Sequence, residues 1–209
     1  MSFPTTPPTF KTSSKDMGAI VPRSSENNLS KIPPDLTISD RPIFFIHIPR
    51  TSATQVQFVL RNEQYDVLVK EDINLKITNT DAIIAYTLPE SFPGLEVGKK
   101  YIWRFFIMCN PDDNSGNPRF SGWVKKVEPL IEVRERLTQA KTNLERFNIL
   151  VKNDYWFDMI NTLYELRYAN PGNYDLTKTW RNVLKSVGLE SLAKQPIIKV
   201  KGVPLKDEF

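Results

Sequence analysis

The chain has 209 residues, 40% hydrophobic and 25% charged, a balance that suits one or two small globular units. One cysteine and one histidine exclude an internal disulfide and the His/Cys zinc sites that need several such ligands, so any metal would require an oxygen site of the calcium or magnesium kind. The net charge of +4 and pI near 9.1 give a mild attraction to polyanions, and no run of ~20 apolar residues offers a membrane-spanning helix.

Residues 1–40 are rich in Pro, Ser and Thr and carry no periodic apolar pattern, which predicts a disordered leader. The stretch Ile32–Ile38 is the piece able to fold back along a sheet edge. The longest apolar run near the start, Met17–Val21, is shorter than the ~7–15 residues of a secretory h-region. The chain as written is therefore expected to be cytoplasmic; export to the periplasm or cell envelope would require a mis-set start site.

From Arg41 the texture becomes that of strands. IFFIHI (43–48) is a short apolar run, and ATQVQFVL (53–60) alternates Val56, Phe58 and Leu60 with polar neighbours. YDVLVKE (65–71), INLKI (73–77) and AIIAYTL (82–88) follow, separated by polar turns. PESFPGLEVG (89–98) reads as a loop. KYIWRFFIMC (100–109) places Tyr101, Trp103, Phe105, Ile107 and Cys109 on one face, and FSGWVKKV (120–127) completes the set. Short strands at this spacing predict an antiparallel, immunoglobulin-like β-sandwich over 41–128. Within it, LEVGKKY (95–101) has the spacing of a tyrosine corner, with Tyr101 hydrogen-bonding back to the preceding loop.

Residues 129–196 read as a small helical bundle. Pro129 opens a first helix with Leu130, Val133, Leu137 and Ala140 on one face, and a second covers about 144–151. A third starts at Asp154, placed as a cap, with Trp156, Ile160, Leu163 and Leu166 at helical spacing; Asn170-Pro171-Gly172-Asn173 ends it. The fourth runs from about Asp175 to Val187, striped by Leu176, Trp180, Val183, Leu184 and Val187, with Gly188 as its terminal cap. Helices three and four resemble one tetratricopeptide-like hairpin, in a single copy where a solenoid needs at least three. Trp156 and Trp180 are expected to be core aromatics joining the hairpin to the sandwich. Residues 197–209 are a tail, either a late strand or a flexible end. The whole is read as α+β.

Chemistry has few places to reside. Cys109 shares its face with apolar residues and is expected to be a small buried hydrophobe; His47 is its one possible histidine partner. The loop Asp112–Asn114 could bind a cation, but counting from Asp112 puts Gly116, Asn117 and Trp123 at the fifth, sixth and twelfth places, which fails the EF-hand pattern. Asp154 and Asp158 stand one helical turn apart, where two acids suit a helix start. Phosphate-loop, dinucleotide and nucleophile-elbow motifs do not occur, and the KDEF ending has no signal peptide to give it a role. Lys99, Lys100, Lys125, Lys126, Arg134, Arg136, Lys141 and Arg146 could form a basic stripe, but Glu128, Glu132, Glu135 and Glu145 interrupt it, as on a solvated mixed-charge face.

Leu95-Gly98-Tyr101-Trp103, Cys109, Gly122-Trp123-Val124, Trp156, Leu163-Leu166-Arg167, Pro171, Trp180 and Val187-Gly188-Leu189 together resemble a family of uncharacterised cyanobacterial proteins, domain-of-unknown-function family 928. The resemblance covers residues 41–195 and implies a cyanobacterial source and a sandwich followed by helices. It implies no activity and no site residues. Many members of that family look exported, with a hydrophobic leader from which this chain departs.

The reading is a non-catalytic protein-interaction or scaffold protein with a protein partner, no cofactor, no metal and no catalytic residue. The alternative is a weak, charge-driven binder of nucleic acid or another polyanion, and the third is an enzyme of unknown class.

Overall fold

A strand that is apolar at nearly every position needs cover on both faces. That describes β3 (Ile43–Ile48) and β6 (Ala82–Thr87), which pair antiparallel from Ile43↔Thr87 to Ile48↔Ala82. The computed structural model describes residues 18–20, 35–51, 53–74, 81–109 and 117–202. In it these two strands form the centre of a four-stranded sheet, flanked by β1 (Gly18–Ala19) and β9 (Ile197–Lys201) in the order β1-β3-β6-β9.

A second sheet has five strands: β2 (Asp35–Thr37), β8 (Arg119–Lys126), β7 (Lys100–Ile107), β4 (Gln55–Arg61) and β5 (Val67–Asn74), in that order. The sheets share one core. Phe44, Ile46, Ile84 and Tyr86 from the first meet Val56, Phe58, Trp103 and Phe105 from the second. The ring centroids of Phe58 and Tyr86 are 4.3 Å apart, and those of Phe44 and Trp103 are 5.8 Å apart. Gly122 lies directly opposite Trp103, where the indole occupies the space a side chain would need.

The alternate residues of β3 and β6 serve a second core. Phe45, Ile83 and Ala85 pack against α1 (Ile131–Gln139), α2 (Asn143–Lys152), α3 (Trp156–Ala169) and α4 (Tyr174–Ser186). Trp180 is fully buried there, its ring 6.3 Å from Phe45, as a core aromatic joining helices to sheet. Trp156 touches both cores and donates Nε1–H to the Ile20 carbonyl at 3.0 Å. The molecule is thus α+β in three layers: sheet, sheet, helices.

Neither sheet is purely antiparallel. β2 runs parallel to β8, and β9 runs parallel to β6. Parallel neighbours need long connections, and both strands have them: β2 arrives from the N-terminal region and β9 from beyond all four helices. The inner pairs are antiparallel as expected, while both of these edges depart from an antiparallel sandwich. Two pieces of the stretch read as a disordered leader, Gly18–Ala19 and Asp35–Thr37, are strands, the second inside the Ile32–Ile38 stretch able to fold back on an edge. The strands expected at 65–71 and 73–77 are one strand, because Asp72 points outward and accepts from Gln57 Nε2 at 2.7 Å instead of breaking the run. Residues 75–77 lie outside the described residues.

Asp154 does not cap α3. It occupies the turn after α2 with φ 57°, a conformation that Asp tolerates, and the helix begins at Trp156. The buried stripe of α3 is Phe157, Met159, Ile160, Leu163 and Tyr164, rotated from the one expected, and α2 packs against it more extensively than α4 does. α2 has a capping box, Thr142 with Glu145, and α4 is capped by Asn173, whose side chain accepts from Leu176 N–H at 3.0 Å. Gly188 ends α4 with φ 79°. The tyrosine corner forms as the spacing predicts: Tyr101, 2% exposed, accepts the Glu96 N–H at 2.9 Å through its hydroxyl.

Candidate functional site

His47 and Cys109, singled out for chemistry, are carried by different sheets. His47 alternates with the core residues Ile46 and Ile48 and so points to the helix side of the first sheet, buried, with Nε2 4.0 Å from Asp81 Oδ1. Cys109 follows β7 in the other sheet, and its backbone N–H donates to Asn117 Oδ1 at 3.0 Å. Contrary to expectation the thiol is exposed, because β7 ends at Ile107 and the alternation that would have carried Cys109 inward stops with it. Asp112–Asn114 lie outside the described residues. Among the described residues, no group of three or more His, Cys, Asp or Glu side chains could hold a metal ion.

Of the acids at 154 and 158, one stands out. Asp158 sits in the first turn of α3, mostly buried, and its Oδ2 accepts the Ile38 N–H at 3.0 Å. Burial drives its carboxyl from 3.8 to about 6, while the hydrogen bonds from Ile38 N–H, the Thr37 side chain and Ser39 N–H act the other way. This acid holds the backbone that follows β2 against α3. In sequence it looks like an ordinary first-turn acid, off the apolar stripe of its helix, and no local pattern signals its burial.

Beside Asp158 is a cleft of about 160 Å³ bordered by Ile43, Arg146, Leu150 and Asn161. Asn161 Oδ1 is buried and has no hydrogen-bond partner among the described residues. A wider groove of about 320 Å³ shares Ile38 and Arg146 with it and runs between Lys126, Pro129, Arg134 and Leu137. Its charges are matched, Lys126 with Asp40 and Arg134 with Glu128, and Arg146 Nη1 donates to the Leu137 carbonyl at 2.9 Å. At the start of α1 next to the groove, Leu130 and Ile131 are 68% and 71% exposed. The groove offers shape, paired charge and apolar surface, and neither Cys109 nor His47 lines it.

Two further members of the predicted basic stripe are paired. Lys99 pairs with Glu96 at 2.8 Å and Lys100 with Glu63 at 3.6 Å. No helix among the described residues is long and apolar enough to cross a membrane.

These features define a three-layer α+β protein with mixed sheets. Residues 5–197 match the family described as Domain of Unknown Function (DUF928), and the chain belongs to that family. No curated protein matches the chain.

Proposed function

We propose that this chain is a non-catalytic binding protein that presents the surface around the start of α1 to a protein partner. The observation that carries the reading is the adjacent pair Leu130 and Ile131, exposed beside a groove whose walls hold paired charges. An apolar centre with a polar rim is the composition of protein interfaces, and Leu130 and Ile131 form a contiguous exposed pair and not an isolated apolar residue. Separation of His47 and Cys109 into different layers supports a non-catalytic role, since a Cys–His site needs the two in contact with an orienting group. The immunoglobulin-like and tetratricopeptide-like likenesses enter only as architectures whose edges and grooves take up partners.

The test is cross-linked capture from source cells with the full chain as bait, beside a Leu130→Ser/Ile131→Ser variant of unchanged melting temperature. Partners that survive high salt with the wild type and disappear with the variant are expected. Equal capture by both, or turnover of a metabolite that Cys109→Ala or His47→Ala abolishes, would sink the proposal. The polyanion alternative is weakened at the Lys99–Arg146 stripe, where half of the eight cations, Lys99, Lys100, Lys126 and Arg134, each have a carboxylate partner.

A further inference from the structure

Register places three arginines on the outward face of the five-stranded sheet. On β7 the positions facing away from that core are Ile102, itself fully buried, and the half-buried Arg104 and Phe106, because Tyr101, Trp103, Phe105 and Ile107 enter the core between the sheets. Arg104 lies opposite Val59 of β4 and Ser121 of β8. Arg61 lies opposite Ile102, and Arg119 opposite Phe106. The three therefore form a diagonal row across β4, β7 and β8, each step the ~7–8 Å of diagonal neighbours in a sheet. Lys70, opposite Val59, adds a cation on the β5 side.

These arginines lack the carboxylate partner that several other cations have. Lys126, Arg134, Arg181 and Lys199 are each paired with a carboxylate. Among the described residues no carboxylate pairs with Arg61, Arg104 or Arg119. Arg61 donates from Nη1 to the Tyr65 carbonyl at 2.8 Å, and its buried Nε has no acceptor among the described residues. The nearby acids are engaged: Asp72 with Gln57, Glu63 with Lys100, and Asp66 with Asn62. Burial lowers the Arg104 pKa, and the charges of Arg61 and Arg119 lower it further, so the row repels itself. Unmatched like charges held together on a rigid sheet are stabilised by an anion laid across them.

We infer that this face binds a linear chain of phosphate groups, with Arg61, Arg104 and Arg119 as its ligands. Guanidinium forks match phosphate oxygens bidentately, which a lysine cannot do. A row spanning ~15 Å suits charges strung along a chain better than one compact anion. The same chemistry is found in free polyphosphate and in the backbone of single-stranded nucleic acid. Half-buried Phe106 and Trp123 share the face, and such aromatics stack bases in single-strand binders. This site is separate from the α1 surface and stands or falls without it.

Calorimetric titration of the full chain with sodium tripolyphosphate and with a short oligothymidylate, at ~50 and ~200 mM salt, tests the inference. Binding of at least one is expected at low salt, weakening steeply at high salt. Arg104→Gln should weaken it at least ~tenfold, Arg104→Lys less, because a point charge retains attraction but not the fork. Arg181→Gln, which removes an exposed arginine paired with Glu190 at 2.7 Å, should change little. If Arg104→Gln fails to fold, the exposed Arg119→Gln carries the same test. Dependence on Arg104 for oligothymidylate alone identifies a nucleic-acid strand, and for tripolyphosphate alone a free phosphate chain. No binding of either, or equal losses from Arg104→Gln and Arg181→Gln, would overturn it.

Discussion

Replacing Asp158 by Asn should change how stability depends on pH. In the wild type the carboxyl moves from 3.8 to about 6 because the fold buries it against α3 and residues 37–39. Between those values the folded protein holds a proton that the unfolded chain has released, so stability falls as pH rises. Its contribution is fully present below the unfolded value and lost as pH passes the folded one. A shift of this size corresponds to roughly 3 kcal/mol across the window. Asn keeps an oxygen for the Ile38 N–H and has no charge to bury, though it faces the Thr37 hydroxyl or Ser39 N–H with a donor where Asp offered an acceptor. That mismatch is independent of pH and shifts the whole curve. The stability of Asp158→Asn relative to wild type should therefore rise by roughly 3 kcal/mol from below pH 4 to above pH 7. Urea unfolding followed by tryptophan fluorescence at several pH values measures this, and a carbon-13 NMR titration of Asp158 should give a midpoint near 6. A flat difference, or one that falls with pH, would refute the argument that burial outweighs the hydrogen bonds to this carboxyl.

Gly122→Ala should destabilise by about 1–3 kcal/mol, since the new Cβ would sit 2.7 Å from Trp103 Cε2 inside a packed core; a double variant with Trp103→Phe should cost less than the sum of the singles. Tyr101→Phe keeps the ring but leaves the Glu96 N–H without its acceptor, so chemical denaturation should show a loss of about 1–2 kcal/mol; an unchanged midpoint would contradict the tyrosine corner. Cys109 should label in the native protein as readily as an unhindered thiol, and Cys109→Ser should alter stability by less than about 0.5 kcal/mol. Slow native labelling would return Cys109 to the core.

Local pattern determined a good deal of this protein. Alternation along residues 100–107 assigned Tyr101, Trp103, Phe105 and Ile107 to one core, and helical spacing identified Leu176, Trp180, Val183 and Leu184 as buried. The Leu-Gly-Tyr spacing at 95–101 was enough to place a hydrogen bond, because a corner is built from residues close in the chain. Tertiary structure decided whatever depends on partners distant in sequence. β2 and β9 are short, and their parallel pairing follows from the strand edges available to them, not from their own residues. Asp158 reads as an exposed helix-start acid until residues 37–39 are folded onto it. Arg61, Arg104 and Arg119 are scattered along the chain, and only the register of β4, β7 and β8 brings them into one row. Periodicity reports which face of an element is apolar. It carries no information about which other element will cover that face, and the polar and charged positions take their meaning from that cover.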